Sequence, residues 1–210
     1  MNVVSLSALT FDLQRHGDEL LRETGAAPET KGGFIGPGNV DLEASHMHRR
    51  KLEHKLARHL TSLFAGVSVV GGYHPLGSEI SPLPAMEEAR AVGAIVAFPC
   101  FSNPAKPFRF IAGDPLEPGP FGIMQPAKRH PVVQPDLVLV PLIAIDGSGT
   151  RLGRGKGHYD RALIGLKKSG ARLIGIGWSI QRLVDTIPMD EWDIPLEGFA
   201  SPEGVEVFTR

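Results

Sequence analysis

Short apolar runs alternate with segments of helical spacing along most of this chain. Four runs have the apolar content of buried strands: residues 67–73, 93–100, 136–145 and 172–178. Three segments are predicted to be helices: residues 46–64, 84–92 and 159–168. Residues 104–131 are rich in proline and glycine and are predicted to form mainly loops. Strands that alternate with helices predict an α/β fold, in which helices cover a mostly parallel sheet.

The first predicted helix is amphipathic and basic. Its apolar side carries leucines at helical spacing: Leu52, Leu56, Leu60 and Leu63. Its cations are Arg49, Arg50, Lys51, Lys55 and Arg58. We interpret these cations as a solvated face, a commoner use of such residues than a nucleic-acid surface. The same stretch holds His46, His48, His54 and His59. These histidines lack the arrangement of a convincing metal-ligand set, and a solvated basic helix explains them better.

Composition and charge narrow the function classes. The chain has 210 residues, of which 42% are hydrophobic and 21% charged, as is ordinary for one globular domain. A formal net charge of −1 argues against a general nucleic-acid binder, which usually has a large basic excess. Because the readable pattern starts near residue 46, we predict a divergent N-terminal segment at residues 1–45 and a single domain at residues 46–210.

The cysteine count and the lengths of the apolar runs indicate the cellular compartment of the protein. Cys100 is the single cysteine and lies in an apolar run, which favours a buried structural thiol over a catalytic one. An internal disulfide is excluded, in keeping with a reducing compartment. The N-terminus lacks the features of a signal peptide, and no apolar run approaches the ~20 residues of a membrane span. We expect a cytoplasmic protein.

A glycine- and cation-rich segment follows the third apolar run. Gly153, Gly155 and Gly157 leave the backbone free to bring its N–H groups close to a ligand. Three cations lie among them: Arg151, Arg154 and Lys156. The next helix adds the positive end of its dipole. Because ligands of open α/β sheets bind beyond the carboxyl ends of the strands, the segment is predicted to hold several negative charges, such as phosphates.

This segment differs from two familiar phosphate-binding motifs. Five residues separate Gly149 from Gly155, and glycine follows Lys156, so the pattern is not G-x-x-x-x-G-K-[ST]. It does not match G-x-G-x-x-G either. The competing interpretation is a flexible surface turn with scattered basic residues. We favour the phosphate site because three glycines alternate with cations directly between a buried strand and a helix.

The stretch Arg151-Leu-Gly-Arg-Gly-Lys-Gly-His-Tyr-Asp160 closely resembles the signature of 5-formyltetrahydrofolate cyclo-ligases, also called methenyltetrahydrofolate synthetases. Other matching pieces follow the order of the family: residues 73–80, Phe98-Pro99, residues 121–123 with Pro126, residues 135–141, Gln181, Pro188 and residues 193–196. The resemblance covers about residues 67–205.

The resemblance implies an ATP-dependent ligase of folate one-carbon metabolism with a three-layer α/β/α fold of the NagB/RpiA/CoA transferase-like type. ATP would phosphorylate the formyl oxygen of 5-formyltetrahydrofolate, giving an iminophosphate-like intermediate. The N10 nitrogen would then attack, and loss of phosphate would close the ring of 5,10-methenyltetrahydrofolate. Such chemistry depends mainly on positioning and on neutralising negative charge. The implied cofactors are ATP and Mg²⁺.

The resemblance also assigns roles to individual residues. The catalytic residues would be Arg154 and Lys156. The nucleotide would be bound by Arg151, Gly153, Arg154, Gly155, Lys156, Gly157, His158 and Tyr159. The folate would be bound by His74, Glu79, Phe121 and Tyr159. The Mg²⁺ ligands would be Asp160 and Asp193. Without the family match, Glu79 would be interpreted as a solvated loop charge and Asp160 as a carboxylate that stabilises a helix end.

The chain departs from the family pattern in places. His158 stands where many members have the first of two tyrosines, and Trp192 stands where many have a polar residue before the metal-binding aspartate. Members usually begin with a helix that carries Lys-x-x-Leu-Arg, whose cations reach the nucleotide. Residues 19–22 match it only in part, which makes Arg22 a weak candidate for that contact and Arg15 a weaker one.

Two other functions stay open on the sequence. One is a phosphate-handling enzyme on the same scaffold, such as a sugar-phosphate isomerase, which the fold alone would permit. The other is a non-catalytic relative that binds folate or RNA through the basic helix. The sequence leaves the oligomeric state open.

Overall fold

The computed structural model describes residues 42–102, 107–155, 157–190 and 192–209, without the side chains of residues 42–44 and 121. Arg15, Arg22, Lys156 and the side chain of Phe121, all named above as candidate ligands, lie outside the described residues. The division of the chain at residue 45 stays a prediction for the same reason.

The described residues form a seven-stranded sheet, two short hairpins and three α-helices. The helices are α1 (Leu42–Leu60), α2 (Leu83–Ala91) and α3 (His158–Lys168). The strands are β1 (Val69–Gly71), β2 (Ile95–Cys100), β3 (Arg109–Ala112), β4 (Glu117–Pro118), β5 (Met124–Gln125), β6 (Leu137–Pro141), β7 (Ala144–Ile145), β8 (Arg151–Leu152), β9 (Arg172–Ile176), β10 (Gly198–Ser201) and β11 (Gly204–Val207). Short 3₁₀ turns occupy Thr61–Phe64, Pro120–Gly122 and Ser179–Gln181.

The strand order of the main sheet is β11-β10-β9-β6-β1-β2-β3. The five central strands run parallel, and β3 and β11 are antiparallel at the edges. In the longest parallel pair, Leu137 of β6 lies beside Arg172 of β9 and Pro141 beside Ile176. The predicted mostly parallel sheet is confirmed.

Helices cover both faces of the sheet. Because successive side chains of a strand point to opposite faces, Leu137 and Leu139 join the core beneath α1 and α2, whereas Val138 and Val140 join the core beneath α3. Leu56 of α1 belongs to the first core and Leu163 of α3 to the second, both with no exposed surface. The predicted three-layer α/β/α arrangement is therefore confirmed.

Three sequence predictions need correction. The interval 104–131 contains β3, which pairs along β2 and forms one edge of the sheet, as well as the hairpin of β4 and β5. The apolar run at 136–145 is two strands, since β6 ends at Pro141 and Ala144–Ile145 pairs with β8 instead. Helix α1 begins at Leu42, four residues before the predicted start, and ends at Leu60. The predicted burial of Cys100 is confirmed, and burial raises the pKa of its thiol.

The parallel topology brings four loops to one edge of the sheet. The chain leaves β1, β2, β6 and β9 at their carboxyl ends, which lie side by side because these strands run in the same direction. The β7–β8 hairpin follows β6 at this edge and leads directly into α3. Residues far apart in sequence can therefore meet there.

We predict that Gly149 contributes strongly to the stability of the fold. Its φ of +85° is one that L side chains rarely adopt, and a Cβ added there would lie 2.2 Å from the carbonyl oxygen of Leu196. Replacement by alanine should lower the free energy of unfolding by at least about 2 kcal/mol in urea titrations. Gly165 of α3 is the matched control, because a Cβ there meets nothing within 4 Å and alanine should stabilise the helix by up to about 1 kcal/mol. Equal effects of the two substitutions would contradict this prediction.

Candidate active site

A cavity of about 470 Å³ opens at the carboxyl edge of the sheet. Nine residues that were predicted from the sequence line it: His74, Glu79, Arg151, Gly153, Arg154, Gly157, His158, Tyr159 and Asp160. Apolar side chains complete the wall, among them Phe101, Ile123 and Leu142. The cavity thus combines cations, carboxylates and apolar surface, as ligand sites in proteins commonly do.

The glycine-rich segment runs from β8 into the first turn of α3. Gly157 precedes the helix with a φ of +62°, in the left-handed region that glycine adopts without strain. At Gly153, an added Cβ would lie 2.6 Å from Nη1 of Arg151. Glycine at this position therefore leaves room for the Arg151 guanidinium to pass.

Arg151 is a buried cation with a carboxylate partner. Its side chain is 6% exposed, and its guanidinium donates to Oδ1 of Asp160 in the first turn of α3. Its Cζ lies 6.0 Å from the centre of the Tyr159 ring. Burial lowers the pKa of Arg151 below its ordinary value, while the charges of Asp160 and Asp193 act in the opposite direction. Asp160 is thus the counter-charge that makes this burial tolerable.

Arg154 reaches across the cavity to the loop that follows β1. Its Nε donates to Oε1 of Glu79 at 2.8 Å, and its Nη2 donates to the carbonyl of Leu76 at 3.0 Å. The second carboxylate oxygen of Glu79 accepts from the N–H of Leu76 at 2.9 Å. The Arg154 side chain is 43% exposed and that of Glu79 13%. The pair joins the cationic segment to a carboxylate 75 residues earlier in the chain.

Two polar atoms in the cavity wall lack a hydrogen-bond partner among the described residues. They are Nδ1 of His74 and the hydroxyl of Tyr159. Burial lowers the pKa of His74, an effect that Glu79 partly opposes, so the imidazole is neutral at neutral pH. Burial raises the pKa of the Tyr159 phenol, which keeps its proton. Unpartnered buried polar atoms are rare in native proteins, and here both belong to residues that line a cavity.

An aromatic cluster holds Tyr159 in place. The ring of Phe108 packs against Tyr159 at 5.0 Å between centroids, and Phe101 packs against Phe108 at 5.4 Å. Phe101 also meets the ring of His158 edge to face at 5.4 Å. The ring of His158 therefore joins the cavity wall through aromatic contact, while its Nδ1 lies 3.1 Å from Nη2 of Arg161.

The β7–β8 turn that presents Arg151 is built on Asp146, which is 1% exposed. Its Oδ1 accepts from the N–H groups of Ser148 at 2.9 Å and Thr150 at 3.0 Å, and its Oδ2 accepts from that of Ile187 at 2.8 Å. Burial by itself would raise the pKa of Asp146, but the hydrogen bonds from Ser148, Ile187 and Thr150 outweigh it and hold the pKa below its ordinary value.

Two of the predicted ligands stand apart from the cavity wall. Gly155 and Asp193 do not line the cavity. Gly155 nevertheless adopts a φ of +74° in the turn between β8 and α3. Asp193 accepts a hydrogen bond from the N–H of Asp190 at 2.9 Å, and its charge partly opposes the lowering of the Arg151 pKa that burial causes. Both roles stay predictions.

The sequence prediction missed Arg49 and Trp178. Arg49 was expected on a solvated face, but its side chain is 22% exposed and its guanidinium donates to the carbonyl of Glu79. Its Cζ lies 5.6 Å from the centre of the Trp178 ring. The correction follows from the tertiary fold, because the loop after β1 lies against α1. Arg50, Lys51 and Arg58 of the same helix are exposed, as predicted.

The described residues contain no group of three or more histidines, cysteines, aspartates or glutamates placed to hold a metal ion. A magnesium site needs less, since Mg²⁺ usually takes one or two carboxylates together with substrate phosphates and water. Asp160, which lines the cavity and is 35% exposed, fits that smaller donor set, whereas Asp193 as a second ligand stays a prediction.

Comparison of the sequence with models of known protein families shows which family the chain belongs to. Residues 40–201 match the model of the 5-formyltetrahydrofolate cyclo-ligase family. The chain belongs to this family. The sequence resemblance drawn from residues 151–160 is thereby confirmed.

Several relatives carry the name of this family. The 5-formyltetrahydrofolate cyclo-ligase of Mycolicibacterium smegmatis is 30% identical over 167 residues, which cover 70% of this chain and 82% of the relative. The one from Haemophilus influenzae is 34% identical over 92 residues, 42% of this chain. That match spans only about half of the relative, 49% of its length.

A solved structure of a methenyltetrahydrofolate synthetase superposes on nearly the whole chain. The 5,10-methenyltetrahydrofolate synthetase of Aquifex aeolicus superposes with a TM-score of 0.69 at 25% identity. The superposition covers 96% of this chain and 94% of the other. The closer description of the fold as NagB/RpiA/CoA transferase-like stays a prediction.

No helix in the described part of this cyclo-ligase family member is long and apolar enough to cross a membrane.

We predict that Asp146→Asn destabilises the protein by about 1–3 kcal/mol at pH 7, because an amide cannot accept all the N–H groups that the carboxylate binds. The pKa of Asp146 is lowered in the folded state. Its stabilisation is therefore complete above about pH 5 and is lost as the pH falls through that lowered value.

Urea titrations between pH 3 and pH 8 would measure this difference. The gap in the free energy of unfolding should be constant near neutral pH and narrow below about pH 4. Asp114→Asn is the control, because Asp114 pairs with Arg90 at the surface and should contribute less than about 1 kcal/mol. A gap that grows on acidification would contradict the prediction.

Proposed function

We propose that this chain catalyses the ATP-dependent conversion of 5-formyltetrahydrofolate to 5,10-methenyltetrahydrofolate, with release of ADP and phosphate. Family membership supports the reaction class. The observation that carries the proposal at this site is the contact of Arg154 with Glu79 at 2.8 Å. It brings a phosphate-binding side chain and an acceptor for the N–H groups of a pterin into one cavity.

The cationic side of the cavity suits the phosphates of ATP. Arg151 and Arg154 lie next to the amino end of α3, where the helix dipole favours anions. Each charge-assisted hydrogen bond to a phosphate would contribute roughly 1.5–3 kcal/mol. Lys156, predicted from the sequence as a further cation, would act from the same segment. We assign Arg154 and Lys156 to the neutralisation of charge on the transferred phosphoryl group.

The opposite side of the cavity suits the folate. Glu79 would accept hydrogen bonds from the pterin ring. The neutral imidazole of His74 and the phenol of Tyr159, which lack partners among the described residues, would provide further polar contacts. The rings of Phe101 and Tyr159 supply flat apolar surface for an aromatic substrate. The predicted contact of Phe121 would lie in the same loop as Ile123.

The reaction balances without an outside oxidant or reductant. The formyl oxygen attacks the γ-phosphorus of ATP, and ADP leaves with the electrons of the broken bond. The N10 nitrogen then attacks the activated formyl carbon, its proton is lost, and the carbon–oxygen bond breaks as phosphate departs. Apolar side chains such as Leu142 and Ile143 limit water in the cavity, which protects the activated formyl group from hydrolysis.

Asp160 and Asp193 would hold Mg²⁺, whose charge would neutralise phosphate oxygens. Asp160 already contacts Arg151, so it would be shared between that cation and the metal. Arg151 would remain within reach of the phosphates. A cytoplasmic location is part of the proposal, as predicted from the sequence.

We predict that the purified protein forms the methenyl chromophore from 5-formyltetrahydrofolate, Mg²⁺ and ATP, as followed by absorbance. Arg154→Met and Asp160→Asn should each lower kcat/KM by about 100-fold or more, because Arg154 would neutralise phosphate charge and Asp160 would hold the Mg²⁺ that also neutralises it. Arg172→Met is the matched control, because Arg172 is an exposed arginine at the start of β9 and should leave the rate unchanged.

The alternatives give different outcomes in this assay. Chromophore formation without ATP would contradict the proposed reaction. A folded protein that binds the folate without turnover would indicate a non-catalytic relative. Turnover of a sugar phosphate with no use of ATP would indicate an isomerase.

A further inference from the structure

The loop that carries Glu79 is held by α1 from outside the cavity. Arg49 of α1 donates through Nη2 to the carbonyl oxygen of Glu79 and through Nε to Oε1 of Glu53 at 2.9 Å. The same Glu53 oxygen accepts from the N–H of Ser81 at 3.1 Å. Glu53 is 7% exposed, so this contact is shielded from water. The ion pair therefore fixes the main chain on both sides of the Glu79–Ser81 turn.

Trp178 holds the same turn from a second direction. Its indole Nε1 donates to the carbonyl of Ser78 at 3.0 Å, and its ring lies 5.6 Å from Cζ of Arg49. The N–H of Trp178 donates to Gln181, whose amide donates to the carbonyls of Leu142 and Ile143 in the cavity wall. Arg49 and Trp178 thus anchor the loop after β1 to α1 and to the chain that follows β9.

The main chain and the side chain of Glu79 have different surroundings. Its carbonyl oxygen is bound from behind by Arg49, whereas its carboxylate lies in the cavity wall and contacts Arg154. Arg49 itself does not line the cavity. Arg49 would therefore affect a ligand of the cavity mainly through the position of Glu79.

We propose that Arg49 is a positioning residue for the folate half of the site, acting with Trp178 through the main chain of Glu79. This role rests on the proposed function, in which Glu79 binds the pterin. Loss of the anchor leaves Glu79 free to shift, and a small displacement of a ligand-binding group weakens binding strongly. The triphosphate half depends on residues 151–160, which are linked to α1 through the contacts of Arg154 with the loop after β1. In the proposed reaction Arg154 leaves Glu79 for phosphate, so the defect falls mainly on the folate.

The experiment compares Arg49→Met with Arg50→Met, using the absorbance assay and calorimetric titration of 5-formyltetrahydrofolate. Arg49→Met keeps the apolar stem and removes the guanidinium, whereas Arg50 is an exposed neighbour on the same helix. We expect the KM and the Kd for the folate to rise about tenfold in Arg49→Met. The KM for ATP and the kcat should each change by less than about threefold, and Arg50→Met should resemble the wild type.

A double-mutant cycle separates positioning from general loss of structure. If Arg49 acts through Glu79, Arg49→Met should have little further effect on the folate Kd in a Glu79→Gln background. Trp178→Phe keeps the ring beneath Arg49 and removes the donor to Ser78, so it should give a smaller defect of the same kind. It also tests the role if Arg49→Met fails to fold.

The outcomes distinguish this role from the proposed function. Folate and ATP affinities that fall equally, or additive effects in the Glu79→Gln background, would overturn the positioning role and leave the reaction standing. A folded wild-type protein that neither binds nor converts the folate would overturn the proposed function and the positioning role together. If Arg49→Met weakens folate binding alone, and this effect is absent in the Glu79→Gln background, the positioning role is established.

Discussion

The arrangement of the site depends on the burial of the Arg151 guanidinium. A cation that is 6% exposed needs a counter-charge, and Asp160 in the first turn of α3 supplies it. This pairing ties the end of β8 to the start of α3 and sets the path of the glycines between them. Gly153 has no side chain because the guanidinium occupies the space that a Cβ would take. The amino end of α3 is thereby fixed beside the cavity.

The second arginine of the segment has a different environment. Arg154 is 43% exposed, and ion pairs of partly exposed groups contribute little to stability, about 0–1 kcal/mol. Its contact with Glu79 can therefore be exchanged for a ligand at small cost, whereas that of Arg151 with Asp160 is part of the fold. In the proposed reaction, Arg154 turns to phosphate and Glu79 to the pterin. The two members of this ion pair would thus divide between the two substrates.

The sequence predicted the layers and the parallel sheet from local apolar runs, and its resemblance to the family predicted nine residues of the cavity wall. Its errors have tertiary causes. Strand β3 lies within a stretch rich in proline and glycine, and its pairing with β2 is visible only when the sheet is formed. The apolar run at 136–145 gave no sign that β6 ends at Pro141. Arg49 has the helical position of a solvated residue, but the loop after β1, some 30 residues later, and the ring of Trp178 cover it.

The topology explains why such distant residues share one site. Helices α1 and α3 lie on opposite faces of the sheet, yet the loops at the carboxyl edge bring α1 and the segment that leads into α3 into contact with Glu79. Arg49 of α1 binds the main chain of this residue, and Arg154, just before α3, binds its carboxylate. A single loop residue therefore connects the two outer layers across the sheet edge. Its position is set by neither local sequence nor one helix alone, so substitutions in α1 can change a cavity that α1 does not line.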